Sequence, residues 1–176
     1  TGADRFGADV IPRDALWLRV VRSPHARATF TLGDLDPLIR SNPGLARILT
    51  ARDVPSNGYG IYPDIKDQPV LADGVVRYRG EAVVALVGDR ATVESIPDEA
   101  LPIRYAVESP VTGFEAAMRA GAPLVQADKP GNLLIEGRVR HGDPQSAFDA
   151  CAAVAQGTFE TSLVEHAYIE PEAGFA

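Results

Sequence analysis

Cysteine occurs once in 176 residues, at position 151, which excludes an intramolecular disulfide and any paired-cysteine zinc site. No apolar run approaches the roughly 18 residues that a membrane-crossing helix requires. The 17 basic residues are scattered among 24 acidic ones, giving a net charge of −7 and a pI near 4.9. Nucleic acid and anionic membrane both reward clustered Lys and Arg, so neither is expected as a partner. No secretory signal opens the chain, which starts at Thr1 without a methionine, so targeting stays open. P-loop, HExxH, EF-hand and nucleophile-elbow patterns are absent, as are internal repeats.

What is present is ordinary globular material, 45% hydrophobic and 23% charged, enough for one domain or one and a fraction. A chain of this length buries roughly 70% of its unfolded surface. Residues 15–23, ALWLRVVRS, have strand character up to Pro24, and ARATFTL (26–32) alternates in the same way. DLDPLIRSN predicts a short helix with Asp36 as N-cap and Pro37 first. Gly44 restarts the chain into the strand candidate LARILT. Residues 52–74, rich in proline and glycine, form a long ordered loop of the kind that packs or functions.

The stretch 75–89 holds two strand-like runs that meet at Gly80, with 81–87 read as a central buried strand. A helix after it should stop near Ser95, because Pro97 follows. PIRYAVES predicts a strand with Ile103, Tyr105 and Val107 on one face. GFEAAMRAG predicts a short helix ending at Gly121, and KPGN a turn. LLIEGRVR (133–140) reads as a strand, GDPQSAFDACAA as a helix capped by Asp143, and 154–171 as extended. Cys151 reads as a small hydrophobe facing a core, with a reactive thiol as the alternative. Interleaved strands and helices imply α/β or α+β, with a boundary near 112–132.

Candidate chemistry is sparse. His166 sits among Glu165, Glu170 and Glu172. In a strand, residues four apart lie ~13 Å from one another and cannot share a metal; in a helix they would be ~6 Å apart. The flanking residues favour a strand, so His166 is read as structural. GYGIYP (58–63) has two glycines of a phosphate loop but lacks the third, and Pro63 stands where a helix should begin. Ser23 and His25 flank Pro24, which turns them away from each other and leaves no orienting acid. Spacing alone therefore names no catalytic, cofactor-binding or metal-binding residue.

Resemblance adds more. TGADRFGADV and LWLRVVRSPHARA resemble the opening of the large, molybdenum-binding subunit of the xanthine dehydrogenase/aldehyde oxidase family. ILTARDVP, DQPVLADGVVRYRGEAVVALVGDRATVES, IRYAVESPVTGFEAAM, PGNLLIEGRVRHGDPQSAF and VEHAYIEP are similar to successive segments of that subunit. The resemblance spans essentially the whole chain. Ala82 stands where the family often has proline, Val164 lies near a common glutamine, and Pro97 interrupts a helix that is usually alanine-rich.

The resemblance implies an α+β fold: an α/β hammerhead, a small mixed sheet with packed helices, over 1–112. A linker with a short helix would follow at 113–132, and 133–176 would be a truncated start of the molybdopterin-binding domain with its first β-α-β elements. The chain would then be an N-terminal fragment, itself structural and inactive, of an oxidoreductase that hydroxylates an aldehyde or N-heterocycle with oxygen from water. Its parent would carry molybdopterin, with iron–sulfur clusters and FAD in partner domains or subunits; no cofactor is expected on the fragment. The remainder of the subunit and a homo-oligomer are the implied partners, and the cytoplasm the implied location. HAYIEP would then lie on a strand at the edge of the cofactor region, and the 52–74 loop, with Tyr59 and Tyr62, would line a substrate channel or a subunit contact. If the chain is truncated, apolar surface should be exposed over 150–176. The alternative is a stand-alone hammerhead-type scaffold or binding module without catalysis.

Overall fold

A computed structural model describes residues 2–169 and 173–174. It divides into two compact units, Asp14–Leu133 and a second made of Thr1–Arg13 with Leu134–Ala176. The first unit carries β1 (Trp17–Arg22), β2 (Ala28–Leu32), α1 (Asp36–Ser41), β3 (Leu45–Leu49), β4 (Gly58–Tyr59), β5 (Gln68–Pro69), β6 (Val75–Val76), β7 (Ala82–Gly88), α2 (Arg90–Ser95), β8 (Ile103–Val107) and α3 (Phe114–Ala117). These strands form two three-stranded sheets, ordered β1-β7-β3 and β6-β2-β8, and a ribbon β4-β5. The class is α+β as expected, and every described ladder is antiparallel.

Strand β7 is central because its sequence leaves no alternative. AVVALVG offers no polar face, so both faces must be covered. Val83, Val84 and Leu86 join one core cluster with Phe30 and Val76 of the second sheet and with Val93, Ile96 and Leu101. The tight approach of the 44–45 chain to the end of β7 needs glycine. A Cβ on Gly44 would overlap the Asp89 carboxylate, and one on Gly88 the Gly44 carbonyl. Asp89 in turn caps α2, accepting from the Thr92 amide at 2.8 Å.

Helix α2 stops at Ser95 as Pro97 requires, and Arg19 closes its end. Its guanidinium donates to the carbonyls of Val93 and Ile96, both at 2.6 Å, and pairs with Asp98 at 2.7 Å. These carbonyls have no helical partner of their own, so a cation reaching from β1 satisfies them.

Several expectations change. Helix α1 has Leu35, not Asp36, at its N-cap. Asp34 supplies the carboxylate instead, accepting from the Asp36 amide at 3.0 Å, an Asx turn that competes with capping. Val107 is exposed although Ile103 and Tyr105 pack on the core, because β8 runs out past the edge of that cluster.

The second unit contains α4 (Pro144–Asp149), capped by Asp143 as expected, and a 3-10 turn at Gly7–Asp9. The Ser146 hydroxyl, then its amide, hold the Asp143 carboxyl below the usual carboxylate range. LLIEGRVR forms no strand, and 154–169 is irregular rather than extended into a ladder. A strand exists only where a neighbour takes its hydrogen bonds, and among the described residues of this unit none does. Cys151 is exposed, not core-facing. Val154, Phe159, Leu163, Val164, Tyr168 and Ile169 are exposed too.

Replacing Leu86 by alanine should cost about 2–5 kcal/mol, since a fully buried side chain leaves a cavity. Leu18→Ala, on an exposed position of β1, should stay within about 0.5 kcal/mol. Urea unfolding of both variants checks this; similar costs would remove β7 from the centre of the core.

Candidate functional site

Two of the segments quoted above, RSPHA and RYRGEA, meet in space. The ladder between β1 and β7 shifts register after Val21, so that Arg22 stands opposite Ala82. The chain then turns at Pro24 on one side and at Gly80 on the other. Gly80 has φ +95°, a backbone state that side chains with a Cβ resist. The Ser23 amide donates to the Glu81 carbonyl at 2.9 Å, and the Gly80 amide donates to the Ser23 carbonyl at 2.8 Å. Arg22 Nη1 donates to the Gly80 carbonyl at 2.8 Å. The two turns thus lock to each other through main-chain bonds.

Glu81 lies beneath this lock with only 2% of its surface exposed. Arg77 serves both of its carboxylate oxygens, through its amide at 2.5 Å and Nη1 at 2.9 Å. A buried carboxylate left without such a partner would be strongly unfavourable. Burial first, then the Glu81 charge, pushes the neighbouring Tyr78 phenol above its ordinary value. Sequence reading placed Glu81 at the head of an apolar run and missed its role. The signal was there, an acid four residues after an arginine with Gly80 between them.

Ser23 is also buried, and its hydroxyl bonds the main chain of His25, donating to the carbonyl at 3.0 Å and accepting from the amide at 3.1 Å. The His25 ring faces Tyr105 instead, edge-on with centroids 4.9 Å apart. Pro24 therefore does separate the pair, and no serine–histidine relay forms. Both Glu81 oxygens and the Ser23 hydroxyl are occupied by groups of this chain. The arrangement fixes two turns and presents no reacting atom.

The other candidates are scattered. Glu165 accepts from the Ala167 amide, and the His166 ring stacks on Tyr168 with centroids 5.5 Å apart. Glu170 and Glu172 lie outside the described residues. HAYIEP stands on no strand among the described residues. GYGIYP supplies β4, whose Gly58 and Tyr59 pair with Pro69 and Gln68, so its glycines serve a ribbon rather than a helix start. Tyr59 and Tyr62 are exposed on that loop. The loop's ends are tied by Asn57, whose side chain donates to the Leu71 carbonyl at 2.8 Å and accepts from its amide at 2.9 Å.

A fused-ring cofactor with a phosphate tail asks for glycines that let backbone approach it and for polar groups converging on one cavity. Among the described residues the glycines form no such cradle. Glycines with no room for a Cβ, such as Gly33, Gly44 and Gly88, are filled by Pro102, Asp89 and Gly44 of this chain. A Cβ on Gly137 or Gly142 would meet nothing within 4 Å. No group of three His, Cys, Asp or Glu side chains gathers as a metal site among the described residues. Nor is any described helix long and apolar enough to cross a membrane.

Breaking the node has a defined cost. Arg77→Met strands the buried Glu81 charge and should lose roughly 3 kcal/mol, whereas Arg77→Met with Glu81→Leu should lose less than the sum of the single changes. Equilibrium denaturation of the three variants measures this, and additive losses would deny the pairing. Tyr105 gives a pH signature. Burial, then the Asp98 charge, holds its phenol above the ordinary value, so the fold retains a proton that the unfolded chain releases. Its contribution is complete below the unfolded pKa near 10 and is lost as pH rises through the folded value. Tyr105→Phe should flatten the fall of the urea midpoint between about pH 9 and 11; an unchanged slope would remove Tyr105 from that titration.

The chain is 31% identical to the nicotinate dehydrogenase large molybdopterin subunit of Eubacterium barkeri over 98% of its length. It is 29% identical to the xanthine dehydrogenase molybdenum-binding subunit of Escherichia coli over 97%. It spans 40% and 23% of those relatives. The aldehyde oxidoreductase of Desulfovibrio gigas shares the fold with a TM-score of 0.69 at 22% identity, covering 85% of this chain and 18% of that one. The profile of the family described as aldehyde oxidase and xanthine dehydrogenase, a/b hammerhead domain, matches residues 1–108. With that match over more than half its length, the chain belongs to the aldehyde oxidase and xanthine dehydrogenase family and carries its hammerhead domain.

Proposed function

We propose that this chain is the hammerhead-bearing portion of a larger molybdenum-containing hydroxylase subunit, and that its own contribution is architectural. The observation that carries the reading is 31% identity along 98% of the chain to a large molybdopterin subunit. In this reading residues 1–112 are the hammerhead domain, 113–132 a linker and 133–176 the beginning of the cofactor-binding region. The cofactor, held by parts of the subunit beyond these residues, supplies two-electron oxidation of an aldehyde or N-heterocycle with oxygen drawn from water. This chain's residues bind none of the reacting groups; catalytic, cofactor and metal positions here are none.

Iron–sulfur clusters and a flavin, in partner domains or subunits, complete the electron path in the same proposal, and the assembled enzyme is a homo-oligomer. The exposed thiol of Cys151 suits a reducing, cytoplasmic compartment. The linker is well placed to hold a fixed path. Asn132 donates to the carbonyls of Ala117 at 2.9 Å and Pro123 at 3.1 Å, and accepts from the Val125 amide at 2.7 Å.

Elemental mass spectrometry tests the assignment on this chain and on the longer subunit, each produced alongside cofactor biosynthesis. Stoichiometric molybdenum in the longer protein and none in this chain is the expected result. Metal retained by this chain alone would overturn the architectural role, and none in either protein would leave the stand-alone scaffold in its place.

A further inference from the structure

Sheet β6-β2-β8 is unevenly paired. Strand β8 runs beside the whole of β2, from Ala28 opposite Val107 to Leu32 opposite Ile103, whereas β6 pairs only with Ala28 and Thr29. Main-chain groups along a strand point alternately toward one neighbour and the other. The Arg27 carbonyl accepts from the Glu108 amide and the Gly33 amide donates to the Pro102 carbonyl. Odd-numbered residues of this stretch therefore face β8, and even-numbered ones face the β6 side. There the Phe30 amide donates to the Gly74 carbonyl at 2.8 Å. Gly74, with φ +69°, is where the chain departs from the line of β6.

Among the described residues nothing donates to the Phe30 carbonyl, and nothing takes up the Leu32 amide or carbonyl on this side. Phe30 and Leu32 are among the residues lining a cleft of about 470 Å³. Its walls include Thr50 and Arg52 on one stretch of chain and Asp73 and Gly74 on another. The side chains of Arg52 and Asp73 make no ion pair or hydrogen bond among the described residues.

We propose that this cleft receives one extended segment of another polypeptide. The segment continues the line of β6 beside β2, exchanges main-chain hydrogen bonds with Phe30 and Leu32, and sets an acidic side chain toward Arg52 and a basic one toward Asp73. Alternating unmet acceptors and a donor along a strand edge match a peptide backbone, and no ion or apolar ligand answers both kinds of group. One free charge of each sign favours a segment of mixed charge. The inference is independent of the proposed enzyme activity.

The test uses this full chain, isotopically labelled for NMR, and a capped heptapeptide of alternating Val and Thr with one Glu and one Lys. A counterpart N-methylated on alternate amides is the control. Saturable shifts at the Leu32, Ala51 and Asp73 amides are expected, with the N-methylated peptide at least about fivefold weaker. Arg52→Glu should weaken binding by about threefold or more. Absence of shifts at low-millimolar peptide, or equal binding of both peptides, overturns the proposal. So does a Leu32 amide protected from hydrogen exchange without peptide: protection that survives dilution means that the chain covers its own edge, and protection lost on dilution means a second copy does.

Discussion

Burial of β7 on both faces is the constraint on which this unit is built. A strand made of Ala, Val and Leu with no polar alternate cannot lie at a surface. It recruits β1 and β3 for its hydrogen bonds and the second sheet, with residues around α2, for its side chains. Its flanks are then fixed. Gly44 must press against Asp89, and Asp89 must cap α2. The Arg22–Ala82 pairing brings the two turns together at the other end.

Irregular chain between these strands is held by single polar side chains that each satisfy several main-chain groups. Arg19 closes α2, Asn57 closes the loop to Leu71, Asn132 gathers the linker, and Arg77 neutralises Glu81 under the RSPHA turn. Such clamps matter where no ladder exists, because buried main-chain groups must still find partners. RSPHA and RYRGEA are a mutual support, and their polar atoms are spent on each other.

Unit Asp14–Leu133 is ordered around its own core, while the described residues of 154–169 expose aromatic and aliphatic side chains and form no strand. Family membership rests on the profile match over residues 1–108, and the chain spans 40% and 23% of the two relatives.

The sequence by itself determined the local elements whose causes are local. Pro97 ended α2, Pro24 turned Ser23 from His25, Asp143 capped α4, and the apolar run after Glu81 marked the central strand. The family was legible too, because successive segments in order carry information that no single spacing does. Tertiary structure decided what depends on a partner. LLIEGRVR and the stretch before HAYIEP have strand composition but no neighbouring strand, so they stay irregular. Cys151 has small apolar neighbours in sequence and yet no core above it. Glu81 became buried because Arg77 folds back onto it across Gly80, and β2 keeps an open edge because Gly74 turns the chain away. Periodicity reports which face a residue prefers; only the fold supplies what that face meets.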